Sequence, residues 1–168
     1  MLQAIALAWL LLVIGDGVST FCYHVPEHVL GRLHVQVHHA PRKNFRHYAV
    51  LSGKPVVMLD GILGALPYLL VAAVFWPLSG PGVLLGLAFG QFHVWWRHTT
   101  ALGWQTPRAI AKLCGWLGIT TPEQHWQHHC NSYTAYGDIF TFFDAPARLW
   151  LRQLRRWRLN RRRYFFAG

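Results

Sequence analysis

An apolar run covers residues 2–23 and is broken only by Asp16. That is enough to cross a bilayer, which takes about 20 residues. A secretory signal would open on a positive stretch, yet no basic residue precedes Leu10 and no small-residue cleavage pattern stands out. The pattern therefore predicts a retained span. A second apolar run covers 56–76 and a third 82–96, joined by the turn-forming PLSGPG. Together they predict a helical hairpin that crosses the membrane and returns. Asp60, Pro67 and Gln91 interrupt it, and polar residues at such depth usually face the protein interior. Near the C-terminus, RLWLRQLRRWRL sets Trp150, Leu154 and Trp157 at helical spacing among arginines. This predicts a basic amphipathic helix on an anionic membrane surface, with Arg148, Trp150, Arg152, Arg155, Arg156 and Trp157 at the contact.

Composition fits this outline. The chain has 168 residues, sufficient for one domain, with 53% hydrophobic and 13% charged residues. A soluble domain carries about 25% charge. Cys22, Cys114 and Cys130 form no CxxC pair and no disulfide framework. The net charge is +10, and eight of the sixteen Lys and Arg lie from Arg148 onward. With membrane spans present, that block points away from nucleic acid. Arg32, Arg42, Lys43, Arg46 and Lys54 precede the hairpin, and Arg97, Arg108, Lys112 and the arginine block follow it. Both flanks belong in the cytoplasm by the positive-inside rule.

On that topology all eleven histidines fall at one membrane face. His24/His28 and His34/His38 are i,i+4 pairs, and His125/His128/His129 are i,i+3,i+4, so each set shares a helix face. Neutral imidazole is the commonest protein ligand for transition metals. Several helices aiming such sets inward hold two metal ions in a bundle. His93 and His98, five apart, converge only at a helix end or bend. His47 has no paired spacing. The candidate ligands are His24, His28, His34, His38, His39, His93, His98, His125, His128 and His129. Asp16, Glu27 and Asp138 are candidates for orienting a histidine N–H. A nearly all-imidazole site beside lipid suits iron or zinc better than magnesium or calcium. Two iron ions activate O2 toward an unactivated C–H bond, and a lipid is the natural source of that bond.

The order of these motifs resembles the sterol desaturase/fatty acid hydroxylase superfamily. YHVPEH, HVQVHHAP, HTTALGW and TPEQHWQHH followed by YGDIFTFFD match its sequence of histidine boxes around a membrane hairpin, over roughly residues 16–146. HHAPRK also resembles the HHxPRK of small carotenoid hydroxylases. The resemblance implies that His24, His28, His38, His39, His98, His125, His128 and His129 are dimetal ligands. It also implies O2-dependent hydroxylation or desaturation of a lipid (sterol, fatty acyl, sphingolipid or carotenoid) at a non-haem diiron centre. Zinc is the alternative occupant in purified protein. Electrons would come from a separate redox partner, such as a ferredoxin or a cytochrome b5-type donor. The chain departs from the pattern in its second box, HxxxHH rather than HxxHH, and in showing three spans rather than four.

The expected fold is an all-α integral membrane bundle with a cytosolic, helical, histidine-rich dimetal cap. It forms one domain over 1–168: span one (1–23), two histidine boxes (24–54), the hairpin (56–98), the cap (99–146) and the basic tail (147–168). Two rival functions stand beside the oxygenase. HVPEH fits the HxxEH zinc-protease motif, with Glu27 as general base, although Pro26 and the shortage of further acids speak against it. The other is a non-catalytic metal-binding or structural subunit of a membrane assembly.

Overall fold

The first helix does not stop where its apolar run does. Helix α1 (Leu2–Ser19) passes through one π turn (Thr20–His24) into α2 (Val25–Val29), giving a continuous rod of 28 residues. Pro26 accounts for the π turn. It lacks an N–H and its ring crowds the carbonyl four residues back, and a widened turn relieves both. Thus His24 and His28 stand on the rod itself rather than after it. The computed structural model describes residues 1–39 and 44–166, with side chains through Arg161. The APRK part of HHAPRK lies outside the described residues.

Two short helices follow, α3 (Leu33–Val37) and α4 (Phe45–Tyr48). The hairpin forms from α5 (Pro55–Phe75) and α6 (Gly80–Trp96), each with proline in its first turn, where the missing N–H costs nothing. Ser79 Oγ caps α6, accepting from Gly82 N at 3.1 Å. The α1–α2 rod and α5 are long and apolar enough to cross a membrane, while α6 has 17 residues. The rod packs along both α5 and α6. Its contact with α6 is made by small residues. A Cβ added at Gly82 would stand 2.8 Å from the Ala4 carbonyl, and one at Gly86 would stand 3.2 Å from that of Ala8. Small residues four apart let two helices approach this closely.

Helix α7 (Arg108–Leu117) ends on Gly118, which takes the left-handed φ of 68°. Helix α8 (Pro122–Cys130) opens on a capping box in which Thr121 and Gln124 satisfy each other's backbone N–H. Helix α9 (Asp144–Phe166) closes the chain. Among the described residues there is no strand, only an isolated antiparallel bridge between Ile119 and Phe140. The all-α expectation holds.

The amphipathic stripe of the tail is used differently from the sequence expectation. Leu151 and Leu154 are buried against Val25 and Val29 of α2, and Trp150 donates its indole N–H to Phe21 O at 3.0 Å. Only Trp157 of the predicted stripe remains outward, 48% exposed. The apolar end of the rod needs cover, and α9 provides it. Arg148, Arg152 and Arg156 are exposed on its outer side.

Candidate metal centre

The site is assembled around a carboxylate buried in the first helix. Asp16 accepts the backbone N–H groups of Asp138, Ile139 and Phe140 at 3.0, 3.0 and 2.7 Å. This pins the segment after α8 to the rod. Carbonyls of the same segment then hold two imidazoles: Tyr136 O accepts from His24 Nδ1 at 3.0 Å and Thr134 O from His128 Nδ1 at 2.6 Å. Asp16 was expected to orient a histidine directly. It acts instead through the backbone, because three adjacent N–H groups satisfy its carboxylate.

Two groups of imidazoles result. His24, His28, His34, His39 and His128 bring ring nitrogens within 4.8 Å of one another, and so do His38, His98, His125 and His129. Neighbours in sequence are divided between the groups: His38 and His39 separate, as do His128 and His129. Adjacent residues on a helix point about 100° apart, which suits two centres side by side. His34 and His38, four apart and stacked at 4.8 Å, also divide. His38 caps α3 in helical geometry and donates its N–H to His34 O at 2.7 Å, so the two rings stay side by side and the boundary between the groups runs between them.

The donor set fits cations. A carbonyl on Nδ1 requires the proton there, leaving Nε2 as a bare lone pair. His24 and His128 are both fixed in this way, yet their Nε2 atoms face each other at 2.9 Å. Two lone pairs at that distance repel unless a cation lies among them. His98 repeats the pattern, with Nδ1 on Val94 O at 2.6 Å and Nε2 toward His38 and His125 at 3.2 and 3.0 Å. His34 Nε2 and His39 Nε2 are buried without any hydrogen-bond partner.

Electrostatics keep these rings neutral, the form that binds metal. Burial first, and then the charge of neighbouring imidazoles or of Arg97, holds His38, His98, His125 and His128 well below the usual histidine value. The same causes bring His39 to about 3 and His129 to about 2.

Other predicted residues take different places. His93 stands outside both groups. It remains on α6 and donates Nε2–H to Thr120 O at 2.9 Å, tying α6 to the α7–α8 link. His98 reaches the site because it lies beyond the end of α6, at the start of a 3₁₀ turn (Thr99–Leu102). Glu27 accepts the backbone N–H of His34 at 3.2 Å rather than an imidazole proton. Asp138 lies 3.7 Å from His24 Nδ1 but is bound more tightly by Arg97, at 2.8 Å. Cys130 belongs to neither group. His47 is also outside them, its Nε2 bonded to Val37 O. The carboxylate that does bind an imidazole is Asp60, which accepts from His34 Nδ1 at 3.2 Å and from Tyr23 Oη at 2.6 Å. Its signal in the sequence was a lone acid in an apolar span.

His24, His34 and His38 also line a cavity of about 490 Å³ that runs between α5 and α6. The family model for fatty acid hydroxylases matches residues 9–147. Neither a curated relative nor a solved structure matches the chain. The matched span begins within the first apolar helix, ends just inside α9 and contains every imidazole of both groups, so the chain belongs to the fatty acid hydroxylase family, within the sterol desaturase/fatty acid hydroxylase superfamily.

Proposed function

We propose that this protein is a membrane-bound non-haem dimetal oxygenase that hydroxylates or desaturates a lipid with O2. The observation that carries this reading is the pair of imidazole groups, five and four strong, adjoining an apolar cavity. Two iron ions held there supply the O2 activation that an unactivated C–H bond requires. The chain's own part is positional. Carbonyls of Val94, Thr134 and Tyr136 set the tautomers of His98, His128 and His24, and Asp60 sets that of His34. Apolar walls keep water from the reacting end of the substrate and strengthen each polar contact inside. The rod and hairpin span the membrane with the histidines at the cytoplasmic face, and a ferredoxin or cytochrome b5-type donor brings electrons. The number of imidazoles favours this reading over an HxxEH protease, since that motif accounts for only His24 and His28 among the nine in the two groups.

The test is expression of the wild type and a His38→Ala/His39→Ala double variant with a reductase, followed by mass spectrometry of lipid extracts under ¹⁸O2. Label in a lipid from the wild type but not from the variant supports hydroxylation. Loss of two hydrogens without label supports desaturation. A metal-loaded, reductant-supplied wild type that leaves every lipid class unchanged returns the chain to the non-catalytic metal-binding subunit.

A further inference from the structure

Among the described residues, helix α7 carries an apolar face that no other helix packs closely against. At 100° per residue, Cys114, Ile110, Leu117, Leu113 and Trp116 fill one arc of about 160°. Cys114, at one edge, is buried in the core cluster that includes Leu11 and Phe140. From there the arc turns outward, with Ile110 42%, Leu113 54% and Trp116 82% exposed. Lys112 borders the arc beside Trp116, with Arg108 beyond it. Both cations are exposed and make no ion pair among the described residues. Glu123, an acid near Cys114, is held by the N–H and hydroxyl of Thr106. An exposed apolar face of this kind marks an interaction surface.

The depth of α7 indicates what surrounds that face. Just after the helix, Ile119 bridges Phe140, and Thr141 donates its N–H to Gly118 O at 2.8 Å. Phe140 packs on Trp9 at 5.6 Å, and Trp9 on Phe89 at 6.3 Å. Trp9 lies well inside the apolar run of the rod, and Phe89 lies within α6. The C-terminal end of α7 is therefore level with the apolar parts of both helices, not beyond their ends. Trp104, 39% exposed, stands 6.5 Å from Trp96 on the approach to α7. Exposed tryptophans with cations beside them suit a membrane–water boundary. A second copy of the chain fits poorly, since Arg108 and Lys112 would meet another surface of net charge +10.

Resting on the reading that the rod and the hairpin cross a membrane, we propose that α7 is an anchor lying in the phospholipid interface. Leu113 and Trp116 sit among acyl chains, and Arg108 and Lys112 meet lipid phosphates. This is the role expected of the tail from its sequence, whose stripe α2 took instead. The anchor bears on the histidines through the chain that follows it. Thr120 O accepts from His93 of α6, and Thr121 caps α8, which carries His125, His128 and His129. Seating α7 in the interface thus braces the histidine helix against the bilayer.

The experiment uses zinc-loaded protein, zinc being diamagnetic, in phospholipid nanodiscs. Cys22 and Cys130 are replaced by serine, and a nitroxide is placed on one introduced cysteine. The sites are Arg108, Leu113, Trp116 and, on α5, Leu70, which is 60% exposed. Relaxation by oxygen, which concentrates among acyl chains, is compared with relaxation by a water-soluble nickel chelate. Labels at Leu113, Trp116 and Leu70 are expected to lose the nickel effect and keep that of oxygen. The label at Arg108 is expected to keep the nickel effect. Arg108→Glu with Lys112→Glu should restore the nickel effect at Leu113. Should the label at Trp116 cost the protein its zinc, the label at Leu113 decides. Nickel relaxation at Leu113 and Trp116 as strong as at Arg108 overturns the proposal. Shielding of both labels from both reagents overturns it too, because a protein partner would then cover α7. In either case a label at Leu70 that meets oxygen alone leaves the spans standing. A label at Leu70 open to nickel removes the spans and the anchor together. Depth at Leu113 unchanged by the charge swap removes the phosphate contact.

Discussion

Asp60, in the second turn of the apolar helix α5, lies 3.2 Å from Nδ1 of His34 and orients that ring toward the five-histidine group. Tyr23 donates to the same carboxylate oxygen at 2.6 Å, which holds Asp60 in place. A carboxylate behind a metal-binding imidazole fixes its tautomer and raises its basicity. Asp60→Asn is expected to weaken metal binding in that group by about 10- to 100-fold. Titration of the purified variant with a competing chelator reads this directly. Equal affinity in wild type and variant would remove Asp60 from the site.

His38 and His39 adjoin in sequence but serve different groups. Single substitutions should therefore act on different ions. His39→Ala leaves the four-histidine group whole, and His38→Ala leaves the five-histidine group whole. Each variant is expected to retain about one of two tightly bound ions, whereas the double variant retains neither. Elemental analysis after dialysis against a weak chelator distinguishes these cases. Loss of both ions in each single variant would mean that the groups act as one site.

Acid is expected to strip the metal. An unfolded imidazole titrates near pH 6.5, while burial and neighbouring rings hold His39 at about 3 and His129 at about 2, with His128 also well below its usual value. Between those folded values and 6.5 the unfolded chain binds more protons than the folded one. Stability is therefore full above pH 6.5 and falls as the pH drops. The slope is about 1.4 kcal/mol per pH unit for each such ring, and protons compete with the ions in the same direction. Metal content, followed together with circular dichroism from neutral pH down to about pH 4, should fall below 6.5. Full retention at the acid end would contradict the assignment.

Much of the site was legible in the sequence because metal ligands advertise themselves by residue type and spacing. His24 with His28, and His125 with His129, each share a group as their i,i+4 spacing implies. Spacing did not assign every ring to its group: His34 and His38 stack as their i,i+4 spacing implies yet serve different groups, and His98 enters only because α6 has ended. The roles of carboxylates were harder to read. A sequence does not reveal whether Asp16 will meet an imidazole or three backbone N–H groups, since that depends on the segment at 138–140 folding back onto it. The tail misled for a related reason. An apolar stripe at helical spacing fits lipid and a neighbouring helix equally well, and α2 took most of it.

The proposed orientation in the membrane is a prediction from charge. Arg46 and Lys54 precede α5, and Arg97 and the exposed arginines of α9 follow α6, so the positive-inside rule predicts both ends of the hairpin in the cytoplasm. On that prediction the turn at Ser79 lies on the opposite side and Ser132, in the segment that orients His128, on the cytoplasmic one. Exposed Cys22 and Cys130 are first replaced by serine, and buried Cys114 is left in place. Ser79→Cys should then react with a membrane-impermeant maleimide added outside intact cells. Ser132→Cys should react only after the membrane is opened. Each half of the hairpin, α5 at 21 residues and α6 at 17, is near the length needed to cross, about 17–25 residues. Labelling of both thiols from the same side would place the hairpin in one leaflet instead, with the histidines and the turn at one face.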